Sequence, residues 1–292
     1  MENRIEKEIL RNYASALKAV RKEMESLYSK YAVDGVLSHA DMTRYNRNVA
    51  MNKQLTAILK PYGESNTAMI KLLAESQYEA SFYSTAWSYD NALKVDLGWG
   101  QIPTRQVKAA VWNKTNLGSL RALSTDARRR LKDTITQGLI RGSSMDQMMR
   151  GVRDALGVSS RQAMTIVRTE AHRAREVGHL MASQESADKG VELLRVWDAA
   201  LDSRTRSLHA RLDGMKVKVD EKFLGMTKYP GGFGRPAQDI NCRCRVFDII
   251  EGYEPETRRA SADADPQPTR TFRKWAKDNG ITRSRYGQIY QF

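Results

Sequence analysis

Apolar side chains recur at three- and four-residue spacing from the start of the chain. Ile5, Ile9, Tyr13, Leu17, Val20, Met24, Leu27, Tyr28 and Tyr31 fall on one stripe of a helix whose other face is charged. Ser38 with Asp41 suits the opening of a second helix that Pro61 should stop, and a third is expected from Glu64 to Asp96. Gly98, Gly100 and Pro103 punctuate its end. A short helix over Thr104–Asn113 follows, then helical patterning from Leu120 that carries Arg128, Arg129 and Arg130 before Gly142 interrupts it. Ser144, and then Ser159 or Ser160, look like further caps, the last opening a helix from Ser160 to Ala187 with Arg168-Thr169-Glu170 near its middle.

The grammar changes at Val191. Leu193–Trp197, Met215–Val219 and Cys242–Ile249 are short and strand-like, and turn-rich sequence such as Asp213-Gly214 and Pro230-Gly231-Gly232 separates them. The pattern therefore predicts an α+β protein that is predominantly helical. A helical region over 1–151 precedes a small α+β domain over 152–252. Ser261 to Pro266 lies in an expected linker, after which a short Trp275-containing helix and an aromatic tail complete a C-terminal extension over 253–292.

Charge adds to this picture. The formal net charge is +14, and from Ser119 to Arg175 twelve Arg or Lys stand against five Asp or Glu, so half the excess sits in that stretch. Such a protein is drawn to polyanions, whether double-stranded DNA or an acidic partner. The first ten residues lack the apolar run of a secretory signal, and no stretch approaches the length of a membrane-spanning helix, so synthesis in the cytoplasm is expected. Cys242 and Cys244 are the only cysteines, too few and too close for a disulfide framework.

The most informative stretch runs from Trp197 to Val246. It holds Trp197-Asp198, then Asp202-x-Arg204-x-Arg206-x-x-His209, then Asp213-Gly214, a Tyr229-Pro230-Gly231 turn, and Asn241-Cys242-Arg243-Cys244-Arg245. With Arg168-Thr169-Glu170 upstream, the order and spacing of these pieces resemble the core of the phage Mu F-like minor head proteins, also described as head morphogenesis proteins. The resemblance implies a virion protein at the portal vertex of a tailed phage head, made in the bacterial host. Expected partners are the portal protein and, beside it, major capsid or scaffolding protein, with a part in head morphogenesis, DNA packaging or genome delivery. The resemblance extends to chains with a toxin domain fused after this core; with 253–292 following it here, none is expected.

Several residues admit two readings. If Cys242 and Cys244 lie on a strand, they share one face with Val246, while Arg243 and Arg245 share the other. Both thiols then suit small buried hydrophobes. They also suit a structural zinc site completed by His209 and a fourth ligand from His172, His179 or Asp202. Asp202, Arg204, Arg206 and His209 fit a structural hydrogen-bonded network with Glu170 better than a catalytic arrangement with His209 as base. The rival from a different class is nonetheless a metal-dependent nuclease or hydrolase using His209, Asp202 and Glu170, and a second rival is a nonspecific DNA-binding protein. Arg128, Arg129 and Arg130 suit a solvated helix face or contacts to phosphate. Trp197 and Phe223 are expected in the core.

Overall fold

The structure, a computed structural model, describes residues 1–44, 46–112, 114–200 and 204–250. It is α+β and mostly helical. Helices α1 (Glu2–Tyr31), α2 (His39–Arg44), α3 (Arg47–Leu93), α4 (Thr104–Val111), α5 (Lys114–Ile140) and α6 (Met145–Asp188) precede strand β1 (Leu193–Asp198). Helix α7 (Ser207–Leu212), β2 (Lys216–Lys218), α8 (Pro236–Asp239) and β3 (Arg245–Ile250) follow. The expected linker, Trp275 helix and tail of 253–292 lie outside the described residues.

The helix boundaries differ from the expected ones where local signals met a longer apolar stripe. Pro61 does not end a helix: α3 runs through it. An interior proline costs about 3 kcal/mol. Here Pro61 and Ala57, whose carbonyl loses its amide partner, are both exposed, so water can satisfy that carbonyl. Leu55, Leu59, Ile70 and Leu73 on either side are buried, each worth about 1.5–3 kcal/mol, so burial outweighs the proline. Ser159 and Ser160 are likewise interior to α6, their hydroxyls donating back to the carbonyls of Ala155 (3.2 Å) and Gly157 (2.9 Å). Ser144 does cap α6, its hydroxyl accepting from the Gln147 amide while Gln147 Oε1 accepts from the Ser144 amide at 2.9 Å.

The described chain forms two compact units, each built from separated segments. The first comprises Met1–Lys71 and Lys114–Val167. Its core joins Ala16, Val20 and Met24 of α1 to Leu55 and Leu59 of α3, Leu131 and Ile135 of α5, and Val152 and Leu156 of α6. The second takes in Leu72–Asn113 and the chain from Arg168 onward. The units divide within α3, between Lys71 and Leu72, and within α6, between Val167 and Arg168, and not at the expected 151–152.

In the second unit β1 is the central strand of an antiparallel sheet ordered β2-β1-β3. Leu194 pairs with Lys218 on one side, and Arg195 with Asp248 and Trp197 with Val246 on the other. One core holds Tyr78, Phe82, Tyr83, Trp99, Ala174 and Leu193. A second gathers Trp197, Leu212, Phe223, Cys242 and Cys244. Trp197 and Phe223 are fully buried as expected. The approach of α6 to α3 is very close at Gly178, where a Cβ atom would lie 2.3 Å from the Tyr78 carbonyl oxygen.

Candidate functional site

The second unit concentrates polar groups where α6 meets residues 241–248. Thr169, His172, Glu176, His179 and Ser183 recur every three or four residues and so share one helical face. Each reaches the strand or its approach. The Asn241 amide donates to Thr169 Oγ1 at 3.1 Å, His172 donates to the Cys244 carbonyl, and the Val246 amide donates to Glu176 Oε2 at 3.2 Å. His179 Nε2 lies 3.4 Å from Asp248 Oδ2, to which the Ser183 and Tyr89 hydroxyls also donate. One turn of helix advances about 5.4 Å and two strand residues about 6.7 Å, so successive turns meet nearly every second residue of the strand.

Burial makes this ladder consequential. Arg195 is wholly inaccessible, and its Nε sits 3.7 Å from Asp248 Oδ1. That separation is too long for a hydrogen bond but close enough for strong attraction away from water. Arg195 Nη1 donates to the Lys228 carbonyl at 2.6 Å. Burial pushes the Glu176 carboxyl up to about 8, against opposing help from the Val246 amide and nearby arginines. It also pushes His172 down to about 4, aided by the Arg175 and Arg245 charges. Both groups are therefore largely neutral at pH 7.

Beside the ladder, His209 of α7, Cys242 and Cys244 are all buried, and their ligand atoms lie within 4.8 Å of one another. His209 Nδ1 is 3.4 Å from Cys244 Sγ and 3.6 Å from Cys242 Sγ. The His209 ring stacks on Phe233, with centroids 5.1 Å apart, and meets Trp197 edge-on. The Cys242 thiol donates toward Cys244, which pushes Cys242 up and holds Cys244 below the usual thiol range.

The cysteines do not lie on a strand, because β3 begins at Arg245 and they form its approach. The expected alternation of burial nevertheless holds: Cys242, Cys244 and Val246 are buried, while Arg243 and Arg245 are exposed. Glu170 does not join Arg204 or Arg206 as expected. It is buried against Arg173 at 2.9 Å, and Arg173 also donates to the Val111 carbonyl. Arg206 instead donates to the Ile240 carbonyl at 2.7 Å, Arg204 and Arg168 are exposed, and Asp202 lies outside the described residues. Neither His172 nor His179 joins His209 and the cysteines, since both imidazoles face ladder partners. Gly214 has the positive φ expected of its turn, +74°, and donates to the Trp197 carbonyl, while Asp213 accepts from the Ala199 amide at 2.9 Å.

Arg128, Arg129 and Arg130 lie on α5 in the first unit. Successive helical residues diverge by about 100°, so the three do not share a face, and Arg129 lies near Asp126 (3.6 Å) and Asp133 (3.7 Å). Sequence reasoning missed Arg195 and Asp248, although each is a lone charge inside an apolar run and the two have opposite sign.

Comparison with known proteins agrees with this architecture. The profile of the family described as Phage Mu protein F like protein matches residues 129–247. The chain is 33% identical over 266 residues to minor head protein GP7 of Bacillus phage SPP1, covering 87% of this chain and 85% of that one. It is also 26% identical over 273 residues to an NAD(+)–arginine ADP-ribosyltransferase, EFV, of Enterococcus faecalis, and there the match spans 91% of this chain and 55% of that protein. An uncharacterized protein of Haemophilus influenzae is 19% identical over 163 residues, 56% of this chain and 34% of that one. No solved structure matches. The chain belongs to the phage Mu F-like family of minor head proteins, a class of virion structural protein. Among the described residues no helix is long and apolar enough to cross a membrane.

Proposed function

We propose that this protein docks at the portal vertex of a tailed phage head and acts there in head morphogenesis and genome delivery. The observation that carries this reading is its likeness to a minor head protein along most of both chains. The site geometry supports a mechanical role. Asp248 and Glu176 are engaged with hydroxyls and a backbone amide that tie helix to strand, and Glu170 is held by the Arg173 guanidinium of its own helix. A reacting carboxylate would instead need to face a substrate. The portal protein is the principal partner, and the basic excess suits electrostatic contact with packaged DNA.

The test is to assay mature particles for the protein and to co-express it with the portal protein. Presence in particles and co-purification with the portal support the proposal. Absence from particles, or failure of the soluble protein to capture the portal, overturns portal docking. The likeness to a protein named as a transferase calls for one more measurement. Transfer of ADP-ribose from NAD to arginine by the purified chain would overturn the purely structural reading.

A further inference from the structure

We infer that His209, Cys242 and Cys244 form a zinc site that fastens α7 to the approach of β3. A tetrahedral zinc ion with bonds of about 2.3 Å to sulfur and about 2.1 Å to nitrogen sets sulfur–nitrogen edges of about 3.6 Å. The observed separations are 3.4 and 3.6 Å, both from the same nitrogen. One imidazole nitrogen carries at most one proton, so a single linear hydrogen bond accounts for one of these contacts and not both. A shared metal ion accounts for both.

Charge balance points the same way. Two thiolates and a neutral imidazole offset the two positive charges of zinc, so the occupied site is neutral overall and its burial avoids most of the cost of an isolated ion. The ligands also come from segments that need joining. His209 follows β1 on a helix of six residues, whereas Cys242 and Cys244 lie beyond a stretch, 213–240, whose regular structure is the three-residue β2 and the four-residue α8. Fixing so sparsely structured a stretch without a cross-link costs chain entropy, and this part of the unit has a small apolar core to offset it. Three protein donors are present among the described residues.

The full chain, purified without chelator from cells supplied with zinc, is assayed for bound metal by elemental analysis. About one zinc per chain is expected. His209→Ala and Cys242→Ser should lower it at least severalfold, while His39→Gln, remote in sequence from the site, should not. Because the site variants can fail to fold, the wild-type protein is also stripped with a chelator and refilled with cobalt. Thiolate-to-cobalt charge-transfer absorption should appear, and the melting temperature lost on stripping should return with zinc but not magnesium. Less than about half a zinc per chain, or a melt indifferent to stripping and refilling, overturns the site and leaves a buried thiol pair beside a histidine.

Discussion

Gly178 offers a sharp test of the packing, because two physical effects on one substitution have opposite signs. Replacing a glycine by alanine inside a helix ordinarily stabilises it by up to about 1 kcal/mol. At Gly178 the new methyl would lie 2.3 Å from the Tyr78 carbonyl oxygen and 3.1 Å from the Tyr78 carbonyl carbon and Cα. These are backbone atoms of α3, so no side-chain rotation relieves the clash. The helices must part by about 1 Å to restore ordinary contact, which loosens a core containing Tyr78, Phe82 and Ala174. Overpacking of this kind costs about 1–3 kcal/mol, and a clash with backbone belongs at the upper end. Gly178→Ala should therefore lose about 2 kcal/mol net. With a denaturant slope of about 2 kcal/mol per M, the urea midpoint should fall by about 1 M. Gly157→Ala in the same helix is the control. Its Cβ meets nothing nearer than an Arg161 nitrogen at 3.8 Å, so that variant should hold or raise the midpoint. If Gly178→Ala matched or exceeded the wild-type midpoint, the close approach of α6 to α3 would be wrong.

Other consequences follow from the buried charges. Glu176 titrates higher folded (about 8) than unfolded, so the native state binds the extra proton between those values and stability falls as pH rises through the window. His172, held down to about 4, has the opposite effect below its ordinary value of 6.5. From pH 6.5 to 8 the Glu176 slope, at most about 1.4 kcal/mol per pH unit, should therefore dominate these two. Glu176→Gln should flatten the melting temperature across that range, and an unchanged slope would refute the assignment. Asp248→Asn leaves the Arg195 charge buried without a counter-charge and should cost about 3–5 kcal/mol. Arg195→Met combined with Asp248→Leu should recover much of that loss, and a double variant as unstable as the single one would count against the pairing. Affinity for duplex DNA should fall at least about tenfold between 50 and 200 mM salt; binding insensitive to salt would remove the electrostatic account.

The long helices were legible because Ile5, Ile9, Val20 and Met24 repeat at helical spacing and tertiary packing agrees with them. Pro61, Ser159 and Ser160 misled because a local stop or cap signal is worth less than the burial on either side of it. The three strands were legible in position, although β3 starts later than expected. Of the site, the convergence of His209 with Cys242 and Cys244 could be inferred, since these residue types have few other uses in so small a domain. The ladder could not. Thr169, His172, Glu176, His179 and Ser183 look like a solvated helix face until the strand that covers them is known, and Glu170 finds its partner three residues away instead of across the domain.

Strand β3 lies at one end of the sheet order, and such a border ordinarily offers free amides to any passing extended chain. Trp197 directs its own amide to the Met215 carbonyl, away from β3, and the outward amide of Val246 is already taken by a carboxylate from α6. The helix thus caps the sheet at Val246, so a neighbouring polypeptide cannot extend it there by strand pairing, a safeguard against runaway self-association where many chains crowd together.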